Sequence, residues 1–186
     1  MYKKYLLSLS LGLALIISGC SKDKKESTSS EIISKKEYLL SGLDSKEYLI
    51  KQIDNGFVLD SAKDKIVIFD IFATWCPPCR ATASHLSALQ QKYKNDVIII
   101  GVTIEDNIEN AKLQEFADKY NAKYTLVNSA QNKNLIYDIV KELKVGAKYP
   151  IPLMAVYKDA KLVNYYAGAA QEEFIESDIK RALGKK

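Results

Sequence analysis

The sequence predicts an α/β domain: a mixed β-sheet flanked by helices, with an N-terminal hairpin and a central strand–helix insertion. Three observations carry the prediction. Residues 65–73 and 97–102 are continuous apolar runs of strand length, hydrophobic on both faces as buried central strands are. The segments between and after them repeat apolar residues at helical spacing. A hairpin and a last helix close the chain, and this order of strands and helices fits a sheet covered by helices rather than a bundle or a sandwich.

Taken in order, residues 47–53 and 57–59 are extended runs separated by Asp54-Asn55-Gly56, and Asn-Gly between such runs is a strong hairpin signal. Residues 65–73 read Lys-Ile-Val-Ile-Phe-Asp-Ile-Phe-Ala, the central strand. Thr74-Trp75-Cys76-Pro77-Pro78-Cys79 ends that strand and opens a helix, on which Leu86, Leu89 and Tyr93 share a face. Residues 97–102 form the next strand. Residues 108–120 form a helix through Ile108, Ala111, Leu113, Phe116 and Tyr120. A short strand at 124–127 precedes a helix at 134–143 that carries Leu135, Ile136, Ile139, Val140 and Leu143. Residues 153–157 and 161–166 pair as a hairpin turned at Lys158-Asp159-Ala160, and 171–183 is the closing helix.

The domain, residues 37–186, is preceded by two segments of different character. Residues 1–19 read as a signal peptide: Lys3 and Lys4 give a basic start, and the apolar run at 6–17 is shorter than the roughly 20 residues that span a bilayer. Ile17-Ser18-Gly19-Cys20 resembles a bacterial lipobox, which implies cleavage before Cys20 and diacylglycerol on its sulfur. An ordinary signal peptide or an uncleaved anchor are the alternatives. Residues 20–36 hold the cysteine and a polar linker too poor in apolar residues to fold alone, with a reach of roughly 20–25 Å. The chain has 27 basic and 23 acidic residues, and without Lys3 and Lys4 the balance is 25 to 23. That leaves no electrostatic case for nucleic-acid binding.

Three cysteines are present. With Cys20 assigned to lipid, Cys76 and Cys79 remain as a single C-x-x-C. One such pair and one histidine cannot supply a zinc ribbon, so no metal site is expected. Export places the pair where disulfides form. Disulfide exchange needs a reactive thiolate at a helix start and a second thiol to resolve the mixed disulfide. Cys76, at the strand-to-helix turn, fits the first role and Cys79, one turn on, the second. Pro77 and Pro78 suit the first helical turn and remove two N–H donors, leaving that of Cys79 closest to the Cys76 sulfur. Asp70 sits mid-strand among Ile68, Ile71 and Phe72, where an unpaired carboxylate is costly to bury. It is either a working acid–base group or an aspartate at an exposed bend.

The run Val67-Ile68-Phe69-Asp70-Ile71-Phe72-Ala73-Thr74-Trp75-Cys76-Pro77-Pro78-Cys79 resembles the active-site strand and turn of thioredoxins. Its continuation into Arg80-Ala81, with the strand–helix material between 97 and 143, is similar to the TlpA/ResA branch of membrane-anchored extracytoplasmic thioredoxins. The resemblance implies a thioredoxin-like fold in which Cys76 attacks, Cys79 resolves and Asp70, with a raised pKa, exchanges the Cys79 proton through water. It implies a cis-proline facing the pair; Ile151-Pro152 opens the penultimate strand, with Pro150 as competitor. The Ile151 backbone would bind an extended client, beside a rim of Trp75, Pro77 and Pro78.

It further implies reduction of selected periplasmic or other extracytoplasmic clients, such as apocytochrome c or copper-site proteins. A membrane electron donor of the DsbD/CcdA type would recharge the pair, the lipid on Cys20 would hold the membrane, and no cofactor beyond the dithiol is expected. Two positions depart from the branch: Thr82 stands where many members have glutamate, and Ser84 where a proline usually follows. The glutamate accompanies the apocytochrome-directed members, so that client is in doubt. A general thiol oxidant and a copper-handling assembly protein remain alternatives; the second would want a third ligand, and His85 lies on the same helix as the cysteines.

Overall fold

The computed structural model describes residues 36–54 and 56–185. The expected signal peptide, Cys20 and most of the linker lie outside the described residues. Strand β1 (Lys36–Ser41) begins where the linker was expected to end. The hairpin of β2 (Glu47–Ile53) and β3 (Gly56–Leu59) completes a three-stranded antiparallel sheet with it, in the order β1-β2-β3. Sequence patterning assigns nothing to β1, because only Tyr38 and Leu40 of its six residues face inward. The strand pairs antiparallel with β2, from Lys36 opposite Gln52 to Ser41 opposite Glu47, and at a distance Lys36 Nζ lies 2.8 Å from both carboxyl oxygens of Asp138, while the Tyr38 hydroxyl donates to the same carboxylate at 2.6 Å.

A five-stranded mixed sheet forms the centre, in the order β6-β5-β4-β7-β8. Its strands are β4 (Ile66–Phe72), β5 (Val97–Thr103), β6 (Thr125–Val127), β7 (Leu153–Lys158) and β8 (Lys161–Ala167). β4, β5 and β6 run parallel, while β7 is antiparallel to both β4 and β8. All seven residues of β4 are buried, as its two-sided hydrophobicity predicts for the middle of a covered sheet. The helices are α1 (Pro77–Lys92), α2 (Asn110–Tyr120), α3 (Asn132–Leu143) and α4 (Glu172–Ala182).

Alternation along β4 divides the core in two. Ile66, Ile68 and Phe72 point to a layer with Leu86 and Leu89 of α1, Phe116 of α2 and Ile175 and Ile179 of α4. Val67, Phe69 and Ile71 point to the other layer, with Leu135 and Ile139 of α3 and with Leu40, Ile50 and Phe57 of the small sheet. The second face is therefore closed by one helix and a sheet. Gly56 touches the β7–β8 turn so closely that a Cβ there would stand 1.9 Å from the Ala160 carbonyl oxygen. Among the described residues no helix is long and apolar enough to cross a membrane.

Candidate active site

The end of β4 and the start of α1 build the site. Cys76 is the N-cap of α1 with extended backbone, and Pro77 and Pro78 occupy the first helical turn, where a missing N–H costs nothing. Cys76 and Cys79 form a disulfide with 5.3 Å between their Cα atoms. The N–H of Cys79 donates to the Cys76 sulfur at 3.2 Å. Both cysteines are nearly buried in this oxidised state, so their exposure does not rank them. Trp75 beside them is 59% exposed, and Pro77 and Pro78 are exposed as well.

The turn before Cys76 is clamped from two sides. The Thr74 N–H donates to Glu105 Oε2 at 2.6 Å and its hydroxyl to Oε1 at 3.0 Å. From the other side, Arg80 Nε donates to the Thr74 carbonyl at 2.8 Å, and its guanidinium lies over the Tyr120 ring. These bonds order the residue two positions before Cys76, and hydrogen bonds to charged groups are among the stronger ones. Sequence reading did not single out Glu105. Its place just past β5, at the carboxyl edge of the parallel strands where ligands of α/β sheets bind, was the available signal.

Across the turn, the Ile151–Pro152 peptide bond is cis and the Ile151 carbonyl oxygen lies 3.6 Å from the Cys76 sulfur. Pro152 is buried and Ile151 half-buried, so the backbone of 151, rather than a side chain, faces the sulfur. The competitor Pro150 is exposed and lies outside this contact.

Asp70 is 3% exposed, on the β4 face that packs against α1, the layer that holds Cys79. Burial pushes its carboxyl up to about 7 from 3.8, against the opposing pull of a hydrogen bond from the Tyr124 hydroxyl to Oδ2 at 2.9 Å. Oδ1 is buried without a partner. It is thus no aspartate at an exposed bend. Tyr124 is itself pushed well above the ordinary tyrosine value by burial and by Asp70, so it stays a protonated donor. A second carboxyl, Glu142 of α3, is likewise pushed up to about 7 by burial, with Tyr157 donating to it at 3.2 Å on the opposite side of the sheet. Neither Tyr124 nor Glu142 carried a sequence signal, because both partnerships are made across the fold.

Thr82, at the position of the missing glutamate, is buried and donates to the Pro78 carbonyl at 2.9 Å, so it serves its own helix. His85 is exposed on α1. The arrangement places a disulfide at a helix N-terminus, the Ile151 carbonyl beside it and, in the same layer, an acid that burial pushes up to about 7.

The family model of the AhpC/TSA family matches residues 45–165. Thioredoxin-T of Drosophila melanogaster is 31% identical over 129 residues, 69% of this chain and 68% of that protein. Several mammalian thioredoxins are matched over only 58% of their own length. Among solved structures, a thiol:disulfide interchange protein of the thioredoxin family from Chlorobium tepidum TLS superposes with a TM-score of 0.61 at 19% identity, over 83% of this chain and 99% of that one. BsSco, of the Sco family of cytochrome c oxidase assembly proteins, gives 0.60 at 21% identity, over 84% and 96%. At these identities the two superpositions show the thioredoxin-like fold.

Proposed function

We propose, from the premise that this chain belongs to the AhpC/TSA family and is a thioredoxin-like disulfide oxidoreductase, that it reduces disulfides of selected extracytoplasmic proteins from a lipid anchor at Cys20. The observation that carries the reading is the Cys76–Cys79 disulfide at the start of α1, facing the Ile151 backbone. In the reduced protein the Cys76 thiolate attacks one sulfur of a client disulfide, forming the mixed disulfide and expelling the other client sulfur as thiolate. Cys79 gives its proton to Asp70 and attacks the Cys76 sulfur. The internal disulfide closes, the second client thiolate leaves, and two electrons have passed from the dithiol to the client. The oxidised pair is the product of that cycle. A membrane donor of the DsbD/CcdA type would reduce it again.

The assigned direction rests on how little the Cys76 thiolate is stabilised. Pro77 and Pro78 offer no N–H, and among the described residues the Cys79 N–H is the one backbone donor to the Cys76 sulfur. A less stabilised thiolate makes the reduced pair a stronger electron donor. Client engagement is assigned to Trp75, Pro77, Pro78 and Ile151–Pro152, where the Ile151 backbone would hydrogen-bond an extended peptide. Apocytochrome c or a copper-site protein is the client class proposed. Thr82 in place of glutamate weighs against the first.

Equilibration with glutathione or dithiothreitol, read by thiol alkylation, tests the direction. The expected potential lies nearer that of thioredoxin, about −270 mV, than that of DsbA, about −120 mV. A value at the DsbA end, with fast oxidation of an unfolded dithiol, would make the protein an oxidant.

A further inference from the structure

We infer that Tyr124 is a positioning residue for the exchange reaction: it pins Oδ2 of Asp70 and leaves Oδ1 as the oxygen that takes and returns the proton, and Gly101 is what lets it reach. The inference rests on Asp70 being the proton carrier of the proposed cycle.

The geometry begins with the sheet register. Asp70 of β4 stands opposite Gly101 of β5, and β5 separates Asp70 from the β6 side of the sheet, where Tyr124 lies just before Thr125. A side chain at 101 would fill the space through which the tyrosine crosses. A Cβ built there would stand 3.0 Å from Tyr124 Cε2, 2.6 Å from Leu126 Cδ2 and 3.2 Å from Phe72 Cε1. With glycine at 101, the Tyr124 ring passes over the strand and its hydroxyl meets Oδ2 at 2.9 Å. Gly101 has no positive φ to explain it, so close approach is the physical reason for glycine here.

The bond divides the two carboxyl oxygens. Oδ2 accepts from a hydroxyl that holds its own proton, because Tyr124 is buried beside a carboxylate. Oδ1 is buried and unpartnered. When the carboxyl is ionised, Oδ1 carries the lone pairs with no donor on them, so the proton released by the Cys79 thiol binds there. When the client thiolate or solvent takes that proton back, the carboxylate returns to its Tyr124-bound state.

The groups around Asp70 support the assignment. Gly101 of β5 and Met154 of β7 are its register partners. α1 brings the two cysteines to this face, α2 brings Phe116, and α4 brings Ile175 and Ile179. Among the described residues no lysine, arginine or second carboxyl acts on it; burial and the Tyr124 bond are the two influences.

The test is the pH profile of client or insulin disulfide reduction by the full chain, measured on wild type, Tyr124→Phe, Gly101→Ala and Asp70→Asn. Tyr124→Phe keeps the ring and removes the bond that favours the ionised carboxyl. The midpoint of the alkaline rise is expected to move to higher pH by about one unit, a tenfold loss of rate on the acid side with the alkaline plateau kept. Gly101→Ala should move it the same way, and the Asp70 carboxyl carbon followed by NMR should titrate at the shifted midpoint. A tyrosine that only packs would slow exchange equally at every pH. An unmoved midpoint in Tyr124→Phe, with Asp70→Asn still abolishing the rise, overturns the role of Tyr124 and leaves Asp70 as carrier. A profile that Asp70→Asn does not change removes the carrier, and the inference with it.

Discussion

Replacing Asp70 by asparagine should raise the stability of the oxidised protein at alkaline pH and not at acid pH. In the folded chain burial pushes this carboxyl up to about 7, whereas an unfolded aspartate titrates near 3.8. The folded state therefore binds the proton more tightly. Its contribution to stability is present below pH about 4 and is lost as pH rises towards about 7. At about 1.36 kcal/mol per pKa unit, the loss across the whole window is about 4 kcal/mol. Asparagine has no charge to bury. Its oxygen can still accept from Tyr124, but its amide brings N–H groups to a place where Oδ1 has no partner, a pH-independent cost of about 1–3 kcal/mol. The variant should be no more stable than wild type at pH about 4.5 and clearly more stable at pH about 8, the difference growing by about 3 kcal/mol between them. Urea unfolding of both oxidised proteins across that range measures it. Glu142 also titrates at about 7, but it is present in both chains and drops out of the difference. A difference that stays flat within about 0.5 kcal/mol would refute the argument that Asp70 is held protonated by burial.

Three further outcomes are expected. Gly56→Ala should destabilise the domain by about 1–3 kcal/mol, because its Cβ would meet backbone atoms of Ala160; an unchanged unfolding midpoint would show that the two hairpins part freely. In the reduced protein Cys76, at the helix N-cap, should be alkylated faster than Cys79, and Cys79→Ser should trap clients as mixed disulfides. Equal trapping by Cys76→Ser reverses the two roles. Mass spectrometry of the mature N-terminus should find diacylglycerol on Cys20, and a start at another residue would remove the anchor.

The sequence by itself determined the class of fold, the order of elements from residue 47 onward and the redox pair. Those features are written locally. The uninterrupted apolar run of β4, the helical spacing of Leu86 and Leu89 and the Cys-Pro-Pro-Cys turn are each set by neighbours a few residues away. The sequence left Asp70 between two readings, a working acid–base group or an aspartate at an exposed bend, and the packed sheet decided for burial. The tertiary structure decided which distant groups answer each of these. Tyr124 lies 54 residues from Asp70, Glu105 lies 31 from Thr74, and Asp138 lies 102 from Lys36. Such pairs depend on strand order and register, and a one-residue slip in register turns each side chain to the opposite face. The same holds for Gly101, whose missing Cβ has meaning only once β5 lies beside β4 and a tyrosine from the far side must cross it. Periodicity in a single strand carries no record of its neighbour. The chemistry of the cysteine pair was therefore readable from the chain, while the partner that holds its buried acid emerged only from the packed sheet.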